Sequence, residues 1–206
     1  MLDFSQDDIR DQLAGLDDWQ VAVFSAACAE VLLPSYRRFA ELEEVGDPDS
    51  VEEILERIWE ELLASGEEWV PTELPDPGEV FQLLPDQDEE WNEWSACAEN
   101  AIAALGLLIE YCGSLELDFA ARVAQQAYEA VDSIASSAAD APFMDQQVVE
   151  EVLAANIVQS ELRRQSGVVE LLAGPLGQQS AVAVSIREHA RAQSLGGNPG
   201  NGLSDG

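Results

Sequence analysis

Enzyme chemistry needs side chains that can move a proton, hold a metal or attack a substrate, and this chain offers few of them in a workable arrangement. It has one histidine, His189. A helical zinc-protease site needs two histidines one turn apart, and a helical di-iron site needs paired Glu-x-x-His motifs, so neither can be assembled. A nucleophilic triad would have to use the same His189, which stands beside Arg187 and Arg191 in a weakly patterned stretch and reads as solvent-facing. Gly202, Ser204 and Gly206 match nucleophile-elbow spacing. That motif works only between an entering strand and a leaving helix, and here it lies in a glycine-rich segment with neither. There is no Walker loop and no G-x-G-x-x-G after a strand, so no nucleotide or other cofactor is implied.

Carboxylates are the remaining chemical resource. Glu52, Glu56 and Glu60 recur every four residues and would share one helix face, where oxygen ligands could attract Mg²⁺ or Ca²⁺. A single helix rarely supplies a whole coordination sphere, so the simpler reading is a solvated acidic face. Glu30 is different. It continues the spacing of Trp19, Val23 and Ala26 along an apolar stripe, where an unpaired carboxylate is costly. Its expected partners are Arg37, Arg38, the Tyr36 hydroxyl or the amides that begin the next helix, in a structural rather than catalytic role. Gln20 and Asn100 are weaker cases of the same kind. Cys28, Cys97 and Cys112 lie among Ala, Val and Leu, have no C-x-x-C spacing and read as reduced core residues.

The elements that must position these residues are helices. Apolar residues recur at three and four up to about residue 165, with no convincing alternating run, so the class is all-α. Ser5 caps a first helix with Ile9, Leu13 and Leu16 inside, and Asp17 or Asp18 opens a second that runs to Leu33. Pro34 starts a third, closed by Gly46; Ser50 with Glu53 forms a capping box for a fourth, through Leu63. From 67 to 88 five prolines or glycines, Pro71 to Pro85, predict an irregular connection pinned by Val80, Phe81, Leu83 and Leu84. A fifth helix, about 90 to 112, is apolar nearly all round and should be the buried centre of the bundle. A sixth carries Phe119, Val123, Ala127, Val131 and Ile134. After Pro142 a seventh carries Val148, Val152, Ala155, Gln159 and Leu162. Gly167 breaks the pattern, a short 168–173 segment follows, and a last helix ends near Ala192. The expectation is therefore one domain, residues 1–193, a bundle of about seven to eight helices, followed by a flexible Gly/Asn/Pro-rich tail, 194–206.

Charge narrows the function classes. The 206 residues carry 41 acids against 9 bases, all arginine, for a net charge of −32. Such a surface repels phosphate backbones and anionic membranes, so no direct nucleic-acid or membrane partner is expected. The longest apolar run, Ala101 to Ile109, is also well short of the roughly 20 residues a bilayer span needs. The residues beginning at Met1 lack the basic and apolar regions of a signal peptide, which predicts a cytoplasmic protein. Carboxylates that keep a protein hydrated in a salt-rich cytosol are the plainest cause of the acidity. Residues 1–116 nevertheless hold 30 acids and 4 arginines, against 11 and 5 in 117–206. That asymmetry fits an acidic docking face for a basic partner.

The segment Leu16, Trp19, Gln20 and Phe24, followed by Glu30, Pro34, Tyr36 and Phe39, then Gly46, Asp47, Ile54, Leu55, Trp59, Glu60 and Leu62, resembles the YjaG-like bacterial family, domain of unknown function 416. A looser similarity extends over 96–113. The resemblance implies a compact all-helical cytosolic protein and transfers no catalytic residue. Its polar members here, Gln20, Glu30, Tyr36 and Glu60, are the candidate site residues. Together these readings favour a non-enzymatic protein–protein interaction module. A carboxylate-based metal-dependent enzyme or binder, and an acidic inhibitor or immunity-type protein mimicking nucleic acid, are the alternatives.

Overall fold

The computed structural model describes residues 1–65, 69–70, 74–83, 94–138, 146–174, 179–193 and 195. Among them there is no strand. The helices are α1 (Gln6–Leu13), α2 (Asp18–Glu30), α3 (Leu33–Glu43), α4 (Pro48–Ser65), α5 (Pro77–Phe81), α6 (Ser95–Ser114), α7 (Leu117–Ala138), α8 (Gln146–Ala154), α9 (Asn156–Leu172) and α10 (Gln179–Ala192). The all-α bundle expected from periodicity is the fold, with α6 at its centre: α2, α3, α5 and α7 all pack on it.

A second helix shares that centre. Every residue of α2 from Trp19 to Glu30 is buried. Ala22, Ser25, Ala26, Ala27 and Ala29 keep its girth small, so α4, α6, α7, α9 and α10 approach it from all sides. One described helix, α6, is long and apolar enough to cross a membrane by length and composition, and 67% of its apolar window is buried by the rest of the fold. Glycine makes one of its contacts possible. A Cβ on Gly106 would stand 2.6 Å from the tip of the Phe81 ring, so the α5 aromatic lies directly on the α6 backbone.

Local signals explain most boundaries. The Ser5 hydroxyl accepts from the Asp8 amide at 3.2 Å. Asp17 and Gln20 exchange side chain-to-amide bonds of 2.8 and 2.9 Å, a reciprocal capping box that starts α2. Four boundaries differ from expectation. The helix containing the expected Ser50–Glu53 box begins earlier, at Pro48, because the Asp47 carboxylate takes both the amide and the hydroxyl of Ser50, at 3.1 and 2.6 Å. α2 ends at Glu30 rather than Leu33, since Pro34 belongs to the first turn of α3. The seventh helix is divided at Ala155 (ψ 138°), where Gln159 Nε2 donates to the Leu153 carbonyl at 2.9 Å and to the Leu2 carbonyl at 2.8 Å.

α9 then runs through Gly167. An interior helical glycine costs about 1 kcal/mol relative to Ala, less than the burial of Val168, Val169 and Leu172 beyond it contributes. In the 67–88 connection, Trp69 and Val80 are buried and Leu83 packs on the core, while α5 gives it one ordered turn capped by Asp76. Leu84, Pro71, Pro85 and Pro142 lie outside the described residues, as does the segment 196–206 of the expected tail. Leu195 donates its amide to the Val31 carbonyl at 3.0 Å.

Candidate functional site

The four candidate residues do not form one site. Gln20, besides capping α2, donates to the Leu172 carbonyl at 2.6 Å and so ties the start of α2 to the end of α9. The Tyr36 hydroxyl donates to the Leu83 carbonyl and accepts from the Asp47 amide, both at 3.2 Å. It joins the α3–α4 turn to the connection. Burial first, and then the neighbouring Asp47 charge, raise the phenol above its ordinary value, opposed by that amide bond. Gly46 has φ +77°, and a Cβ there would stand 2.5 Å from the hydroxyl, so the turn needs glycine twice over. Glu60 lies exposed on α4. Each of these is a structural position or a surface one.

Glu30 is buried and paired, but not by the residues expected. Arg37 turns instead to Glu52 and Asp49, at 2.7 and 2.8 Å. Glu30 is held by α10: Arg191 Nε donates to it at 2.7 Å, and Arg187 Nε lies 3.9 Å away. Their partners come from more than 150 residues along the chain, which a search of near neighbours in sequence could not reach. The same arginines grip Glu56 of α4, Arg191 at 2.9 Å and Arg187 by a shorter bond. Burial works to raise the Glu56 carboxyl, and the two guanidiniums outweigh it, holding it below the usual value. Arg187 also lies 5.3 Å from the centre of the Trp59 ring, within cation–π range. Arg191 and Glu56 are each about half exposed, 52% and 48%, so their pair contributes at most about 1 kcal/mol.

The Glu52, Glu56 and Glu60 series is thus divided between Arg37, the α10 arginines and solvent. Among the described residues no group of three or more His, Cys, Asp or Glu is placed to hold a metal ion. His189 is exposed, as expected. Gly202, Ser204 and Gly206 lie outside the described residues.

A deeper polar cluster escaped the sequence reading. Glu161 and Arg164 of α9 form a two-pronged ion pair, Nε to Oε2 at 2.7 Å and Nη2 to Oε1 at 2.6 Å. Gln165 donates to Glu161 at 2.8 Å and to the Ala124 carbonyl of α7 at 3.0 Å. Arg164 reaches α2, with Nη1 3.4 Å from the Ala27 carbonyl and Nη2 3.4 Å from Cys28 Sγ. Burial alone would favour neutral forms, but the mutual charges keep Glu161 ionised, with its pKa lowered and that of Arg164 raised. Burial pushes the Cys28 thiol up to about 11 despite the guanidinium beside it. Cys112 is pushed by burial to about 12. All three cysteines are buried and none is in a disulfide, the core thiols the sequence suggested. A signal for the cluster was present: Val158, Glu161, Gln165, Val168 and Leu172 follow helical spacing, placing two polar groups on an apolar stripe as Glu30 is placed in α2.

Bonds of this kind fasten helices to one another. Fold and polar interior together define an all-helical bundle clasped by a few interhelical ion pairs. The family described as protein of unknown function (DUF416) matches residues 8–197, and the chain belongs to it. The fold is similar to that of a DUF416 family protein from Shewanella baltica OS155 solved by crystallography, with a TM-score of 0.75 at 17% identity, over 88% of this chain and 92% of that one. A comparison with curated proteins gives no match.

Proposed function

We propose that this chain is a non-enzymatic interaction module of the cytoplasm, whose acid-rich front half docks a protein with a basic surface while the overall acidity reflects adaptation to salt. The observation that carries this reading is the fate of the carboxylates. Glu30 and Glu161, the buried ones among the described residues, are matched by arginines inside the bundle. Outside it, Glu41, Glu44, Glu53 and Glu60 of α3, the following turn and α4 face solvent in a half of the chain with few bases. Like-charged faces of this kind steer oppositely charged partners and reject others.

The test is affinity capture by the full chain at 0.1 and 1 M NaCl. A reproducible partner of basic composition, retained at low salt and released at high salt, is the expected result. No reproducible partner at either salt would count against the proposal.

A further inference from the structure

α10 brings two of the nine arginines to carboxylates of other helices. Its apolar hold is slight: Ala183, Ile186 and Ala190 are its buried apolar residues among those described. Val182 and, just past the helix, Leu195 add partly buried packing, and the polar part of the attachment is ionic, Arg187 and Arg191 one turn apart between Glu30 of α2 and Glu56 of α4. The floor of this slot is the Trp59 ring, fully buried, whose Nε1 has no hydrogen-bond partner. Arg187 Nε likewise makes no hydrogen bond, so even the resident helix leaves donors unsatisfied. A slot with two carboxylates and an aromatic floor fits a helix that presents arginines at i and i+4, which is the pattern α10 itself carries at Arg187 and Arg191. One edge is open to solvent, since Arg191 and Glu56 are each about half exposed. Exposed ion pairs exchange readily and weaken with salt.

We propose that the slot formed by Glu30, Glu56 and Trp59 is a docking groove for a partner protein's helix bearing two arginines one turn apart, and that α10 is its resident occupant, masking the groove until the partner's helix takes its place. This deepens the docking reading above, on which it rests, by adding a specific contact in a covered groove to the steering by the outer acidic coat. The same clasp that completes the fold then acts as a competitor for the partner.

The probe is a fluorescent peptide with the chain's own sequence from Gln179 to Gln193, titrated by anisotropy against two full-length proteins, the natural chain and the double variant Arg187→Gln, Arg191→Gln. The peptide is expected to bind the double variant at least tenfold more tightly than the natural chain. Adding Glu30→Gln and Glu56→Gln should remove at least tenfold of that affinity. No saturable binding by a double variant that still melts cooperatively, or binding indifferent to the two carboxylates, would overturn the proposal. Should the double variant not fold, hydrogen exchange on the natural chain decides. Amides of α10 exchanging before those of α6, and faster in 1 M NaCl, support a releasable helix; α10 exchanging only together with α6 overturns it. Capture through the outer coat does not use this groove, so loss of peptide binding with capture intact separates failure of this proposal from failure of the broader one.

Discussion

At the residue scale, Arg164 makes the sharpest statement. Its charge sits in the interior against Glu161, Cys28 and the Ala27 carbonyl, so removing it strands a buried carboxylate. Breaking such a pair costs about 3–5 kcal/mol, whereas replacing both partners with apolar groups is often close to neutral. Arg164→Met and Glu161→Met should each lower the unfolding free energy by about that amount, and the double variant by much less than either. Urea titration of the four chains checks this. Equal, additive losses would show that the pair is not coupled. Gly106 makes a second statement. Ala is the better helix former by up to about 1 kcal/mol, yet its methyl would displace the Phe81 ring, and overpacking costs about 1–3 kcal/mol. Gly106→Ala should therefore destabilise the natural chain and become neutral or stabilising in a Phe81→Ala background, as read from thermal melts.

At the scale of elements, α10 is the helix whose attachment should respond first to acid. Glu56 has its pKa lowered in the folded chain, so its contribution is present above the ordinary carboxylate value of about 4.3 and is lost as pH falls through the lower folded value. Hydrogen exchange at pH 7 and at pH 3.5 should show α10 losing protection more than α6. Uniform loss across both helices would refute an ionic attachment. The same element shows where sequence reading stops. Caps and stripes are local, so Ser5, Asp17, Pro34 and the apolar run 101–109 disclosed their helices directly. The break at Ala155 was hidden because Gln159 and Leu2, which stabilise it, are 157 residues apart. For Glu30, burial was legible from its stripe, but the choice among nine arginines depends on how α10 folds back, which no spacing encodes. Glu161 and Gln165 were legible by the same stripe argument and were obscured by the adjacent pair Arg163 and Arg164, of which one faces solvent and the other the core.

For the whole molecule, the −32 charge sets a self-repulsion that the fold must overcome. Screening weakens repulsion between exposed carboxylates more than it weakens the buried Glu161–Arg164 pair, which solvent ions do not reach. Thermal stability should therefore rise between 0.05 and 1 M NaCl; a fall would mean that surface ion pairs outweigh surface repulsion. The front half carries most of that unneutralised charge, and it is there that the chain is expected to meet its partner. The most direct test compares affinity capture by the natural chain and by a chain with Glu44→Gln, Glu53→Gln and Glu60→Gln, both in 0.1 M NaCl and both confirmed folded by circular dichroism. A basic partner recovered by the first and depleted several-fold from the second is the predicted result. Equal recovery of the same proteins by both chains would contradict the claim that this acidic face does the docking.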